Sequence, residues 1–147
     1  MDSPKSRQNV TPPSVLVVSS KYPPEYSGSG FRAHNTYKRL RHRYGINFDV
    51  LCSSVTFNRS ERYVYDGVDV YRIARKVYQG ERQAERKAGI ARLLRVFLTH
   101  ISYLLEVTQV FWFLLGRARK YDAFHVFGNV SVTSGAIIFA KLWRMPV

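Results

Sequence analysis

Apolar positions along the chain follow two rhythms, and they alternate. Residues 15–19 (VLVVS) form a short, continuous apolar run rich in β-branched side chains, which predicts a strand covered on both faces. A loop of special residues, 20–30 (SKYPPEYSGSG), follows it. From Phe31 the spacing turns helical: Phe31, His34, Tyr37, Leu40 and Tyr44 recur every three or four positions, with Arg and Lys between them. Gly45 stands where a glycine just past the last turn would end that helix. Residues 48–52 (FDVLC) predict a second strand, and residues 55–63 are polar and predict a loop. Asp66-Gly67 is a tight-turn dipeptide; the alternation of residues 68–73 (VDVYRI) after it fits a third strand or the return arm of a hairpin. Residues 74–88 are charged and glycine-punctuated. A long apolar helix is predicted over residues 90–115, a fourth strand over 123–127, a turn at Gly128-Asn129, and a last helix over 131–143. Met145-Pro146-Val147 reads as the first step of a further strand, so the pattern leads one to expect a fragment, or a half-protein that needs a partner.

Strands of buried character alternating with helices predict an α/β fold with a doubly wound, mostly parallel, Rossmann-like sheet. The expected division is a disordered tail over residues 1–14, polar and proline-bearing, and one domain over 15–147, truncated at its C-terminal end. The tail has no apolar core segment, which excludes a secretory signal peptide. A hydrophobic fraction of 46% excludes wholesale disorder, and a single cysteine, Cys52, excludes a disulfide scaffold and favours a reducing, cytoplasmic compartment.

In a parallel α/β sheet, ligands bind outside the carboxyl ends of the strands, where loops lead into helix N-termini. Gly28, Ser29 and Gly30 occupy that place after the first strand. Glycines let backbone amides approach a ligand, the free amides and dipole of the following helix favour a phosphate, and Arg32 and His34 in its first turns can add donors. The string GSGFRA satisfies the dinucleotide pattern, yet eight residues separate the strand from the first glycine. The second strand also ends in Cys52-Ser53-Ser54 where an acid is needed, which argues against a nicotinamide cofactor. A purely structural turn remains the alternative.

The segment VLVVSSKYPPEYSGSGFRAHNTYKRL resembles the opening of the N-terminal domain of family 4 glycosyltransferases, which have the two-domain GT-B fold. The likeness continues through FDVLCSS, DGVDVYRI, YDAFHVFGN and the helix ending LWRMPV. The resemblance implies transfer of a sugar from a nucleotide-sugar donor to an acceptor with retention of configuration and without a bound metal; the nucleotide-sugar is a substrate, and no cofactor is expected. It implies that Gly28 and Gly30 are the loop glycines reaching the donor diphosphate, and that His125, Gly128 and Asn129 line the cleft after the fourth strand, His125 as the candidate catalytic residue. Many members carry a second histidine where this chain has Phe127, which can neither donate nor accept a proton. The family's donor-binding domain is not within this chain, so a separate donor-binding domain is the expected partner and the chain by itself is expected to be inactive. Against a functional His125 stands the plainer reading of a sheet histidine with a satisfied ring, and His34 can equally be helix packing.

Charge widens the choice of partners. Lys and Arg number 23 against 10 acids, a net charge of +13. Such a chain favours polyanions: anionic lipid, phosphorylated small molecules or nucleic acid. Nucleic acid is set aside because the basic residues are spread over loops and helices and no nucleic-acid module is recognisable. Residues 72–95 hold eight Lys or Arg against two Glu, net +6, and lead into the apolar residues 93–115. Arg95 and Glu106 lie inside that stretch and charges near a bilayer centre cost about 2.5–3.5 kcal/mol each, which counts against a membrane span. The favoured expectation is a core helix packed on the sheet. A basic stretch leading into an aromatic, apolar helix also fits a protein lying on an anionic membrane, peripheral at the cytoplasmic face. The leading function is therefore the acceptor-side domain of a retaining glycosyltransferase working on a saccharide or lipid-linked acceptor. The alternative is a non-catalytic α/β binding module or a truncated-gene remnant.

Overall fold

The computed structural model describes residues 12–54, 56–57, 59–74, 90–128 and 131–147. Five strands and three helices follow the order β1 (Ser14–Ser19), α1 (Gly28–Tyr44), β2 (Asn47–Ser54), β3 (Glu61–Tyr65), β4 (Val68–Ala74), α2 (Ile90–Leu115), β5 (Ala123–Phe127) and α3 (Ser131–Trp143), with a 3-10 turn at Ala118–Lys120 before β5. The strands form one sheet in the order β3-β4-β2-β1-β5. β4, β2, β1 and β5 run parallel, and β3 is an antiparallel edge strand. This α/β arrangement, a mixed but mostly parallel sheet, is compatible with a Rossmann-like fold.

The alternation of side chains along each strand sends residues to two separate cores. Leu16 and Val18 of β1, Leu51 of β2, Ile73 of β4 and Phe124 of β5 face α2 and α3, where Val110, Leu114, Val132, Ala136 and Phe139 meet them. Val17, Val50, Cys52, Val68 and Val70 face the other way, onto Ala33 and Tyr37 of α1. Cys52 is buried and free, and burial pushes its thiol up to about 12.

Several expectations need correction. α1 begins at Gly28, three residues before the predicted start, because the Ser27 hydroxyl caps it by accepting the Gly30 amide. Its buried face is Gly30, Ala33, His34 and Tyr37, while Phe31 and Tyr44 stay exposed. Gly45 ends the helix at φ +70, as its position predicted. Residues 61–63 are strand rather than loop, since pairing with β4 outweighs their polar composition. Asp66 and Gly67 both adopt positive φ, the conformation a two-residue hairpin turn of this hand demands. Residues 145–147 are irregular, with one sheet-like contact, Phe124 N–H to the Pro146 carbonyl. β1 takes in Ser14, the last residue of the expected tail; residues 1–11 and most of the basic stretch lie outside the described residues.

The largest correction concerns α2. It spans the predicted residues, but only its C-terminal part packs into the core. Of its described side chains only Glu106, Val110 and Leu114 are buried, and most of its large apolar residues are exposed. The segment Val96–Leu115 is long and apolar enough to cross a membrane.

Candidate functional site at the carboxyl rim of the sheet

Parallel strands deliver their carboxyl ends to one edge, and two loops meet there. β1 ends at Ser19 and leads through Ser20 to the start of α1 at Gly28, and β5 ends at Phe127, followed by Gly128. Ser29 sits at the junction: its hydroxyl is 2.9 Å from that of Ser27, 3.0 Å from that of Ser20 and 3.5 Å from that of Ser19. Gly128, at φ +99, comes closest to the same Ser20 and Ser29 side chains. Four hydroxyls and the head of a helix therefore converge on one spot. Ser29 was expected here; Ser19, Ser20 and Ser27 were not anticipated, although a Ser-Ser pair at a strand end and a serine before a helix start are visible in the sequence.

The two loop glycines differ. Gly28 is exposed, and nothing lies within 4 Å of where a side chain would begin. Gly30 is buried: a Cβ there would stand 3.1 Å from the Lys21 carbonyl carbon and the Tyr22 Cα, and nearer still to the Lys21 carbonyl oxygen. Gly30 thus lets the helix lean on the loop backbone and is not available to a ligand. Arg32 is exposed one position further along from Phe31. Asn129 lies outside the described residues.

The two histidines are both held by tyrosines. His34 is turned away from the rim and buried, with Nδ1 2.7 Å from Tyr22 Oη and Nε2 3.2 Å from Asp66. Burial keeps the Tyr22 phenol protonated well above the usual range, so it donates to Nδ1, and the Nε2 proton goes to the Asp66 carboxylate. His34 is a structural link between α1 and the β3–β4 turn. His125 lies in the middle of β5, opposite Val17 and two residues short of the rim, with its ring packed on Phe127 at 4.4 Å. Its Nδ1 is 2.8 Å from Tyr37 Oη, whose phenol burial pushes up to about 12. The His125 side chain is exposed, so its ring is tied to α1 on one side and open to solvent on the other.

A second cluster, which the sequence did not suggest, braces the loop. Arg72 ends β4 almost wholly buried, its guanidinium between Phe57 at 4.1 Å and Tyr63 at 4.4 Å. It bonds Glu61, and its Nε is 3.7 Å from Glu25 of the β1–α1 loop. Glu25 in turn accepts from Ser54 at 2.9 Å, and Tyr63 donates to the Pro23 carbonyl at 2.7 Å. The loop that leads to Gly28 is thereby tied to β2, β3 and β4. Among the described residues no three His, Cys, Asp or Glu side chains gather as metal ligands would.

Comparison with known proteins adds no identity: no protein-family model matches the chain, and a search of curated proteins finds no significant match.

Proposed function

We propose that this chain is the acceptor-side domain of a retaining, GT-B-type glycosyltransferase, with its sheet read as doubly wound. In this reading the first turn of α1 receives the diphosphate of a nucleotide-sugar donor, and a separate domain supplies the rest of the donor site. The observation that carries it is the exposed Gly28 in the first turn of α1 beside the Ser29 hydroxyl, at the carboxyl rim of a mostly parallel sheet and next to Gly128. Anions are stabilised there by unpaired amides and the positive end of the helix dipole. In the transfer, the bond between the anomeric carbon and the donor phosphate oxygen breaks, and a bond to the acceptor hydroxyl oxygen forms on the same face. The hydroxyl proton leaves with the phosphate oxygen. Negative charge grows on the diphosphate as that bond breaks, so donors fixed at Gly28 and Ser29 stabilise the transition state more than the ground state. Arg32 adds long-range positive charge. His125, exposed on β5 and held by Tyr37, is the side chain placed to meet the acceptor saccharide.

The test is a titration of the isotopically labelled chain, followed by amide NMR, with inorganic pyrophosphate and with uridine- and guanosine-diphosphate sugars. Half a site should bind in the millimolar range, about −4 kcal/mol. Shifts centred on Gly28, Ser29 and Gly128, abolished in Gly28→Asp, are expected. Shifts centred elsewhere, or none at millimolar ligand, would remove the basis of the reading.

A further inference from the structure

α2 turns its apolar side outward. At about 100° per residue, Leu93, Phe97, Leu104 and Leu115 fall along one line of the helix with Trp112 beside them. The line that meets the body of the domain, Glu106, Val110 and Leu114, is centred about 125° round the helix. Leu93 is 72% exposed, Phe97 61%, Leu104 61% and Trp112 66%, while Phe111 on the same line packs against Phe139 and Trp143 of α3. The stripe runs for about 33 Å, and none of the described side chains before Glu106 is buried. A soluble helix normally does the reverse, burying its apolar side and wetting its polar one.

Charge says what covers this stripe. Residues 75–95, which lead into it, carry seven Lys or Arg against two Glu, and exposed Arg117, Arg119 and Lys120 follow its end. The only acids after Leu93 are Glu106, which is buried, and Asp122. A second copy would bring an equally basic surface, on a chain of net +13, against the first. An anionic headgroup layer neutralises those charges while its acyl boundary takes up the leucines and aromatics. We infer that α2 lies in the interface of an anionic bilayer, along the membrane plane, with its outward stripe immersed and the domain body held on the water side. This goes beyond the sugar-transfer reading and does not depend on it.

The experiment is cosedimentation of the full chain with vesicles of phosphatidylcholine alone and of phosphatidylcholine mixed with phosphatidylglycerol. Binding to the anionic vesicles should exceed binding to the neutral ones by about tenfold or more and should weaken as salt rises. The double variant Phe97→Glu, Leu104→Glu should lose about tenfold or more of that binding. Both side chains are exposed, so its circular dichroism and urea midpoint should match the parent. Equal recovery on both vesicle types, binding unchanged in the double variant, or no vesicle binding together with a dimer that the double variant dissociates, would each overturn the inference.

Discussion

Alanine at each of the two rim glycines in turn separates a packing glycine from a ligand-facing one. At Gly30 a Cβ meets the Lys21 and Tyr22 backbone at 3.1 Å or less. Backbone cannot swing aside as a side-chain tip can, so the first turn of α1 must back away from the loop and strain the Ser27 cap. Overpacking of this kind costs about 1–3 kcal/mol. At Gly28 a Cβ enters open space. Both replacements gain the higher helix propensity of alanine, about 1 kcal/mol at most, and that gain largely cancels in the comparison. Gly30→Ala should therefore be less stable than Gly28→Ala by about 1–3 kcal/mol. With a urea dependence of about 2 kcal/mol per molar, the unfolding midpoints should differ by about 0.5–1.5 M. Coincident midpoints, or a higher midpoint for Gly30→Ala, would refute the account of how this helix is seated.

Two further outcomes follow from the clusters around the loop and turn. The ammonium of Lys38, and after it His34, hold the Asp66 carboxylate below its ordinary 3.8. A lowered value means the contribution is present above 3.8 and is lost as pH falls through the folded-state value. Asp66→Asn, which tolerates the positive φ there, should lower the urea midpoint at pH 7 and match the parent once pH has fallen below the carboxyl's folded-state value. Arg72→Ala leaves Glu25, only 12% exposed, without its nearest cation and should cost about 3–5 kcal/mol by chemical denaturation; a loss below about 1 kcal/mol would show that the cluster does not brace the loop.

Much of the fold was legible because strand and helix periodicities are local. The apolar run after the tail, the Asp66-Gly67 turn, Gly45 and both ends of α2 all stand where the pattern put them. The edge strand β3 was not, since its polar residues are held by pairing with β4 rather than by burial. The site was legible as a place, the head of α1 beside the end of β5, but not in its working parts. Ser19 and Ser20 reach Ser29 across ten and nine positions of sequence, and His125 meets Tyr37 across 88. No spacing rule connects residues that far apart.

The chain's own sequence determined the order of strands and helices apart from β3, the turn chemistry, the single thiol and the excess of positive charge, because each depends on composition or on neighbours within a few residues. Tertiary packing alone decided that Gly28 is open while Gly30 is filled, that His34 is a strut, that His125 is tied to Tyr37, and that α2 wears its apolar side outward. Those properties depend on which distant surface a side chain meets, and an amphipathic helix reads the same from sequence whichever side it turns to the sheet.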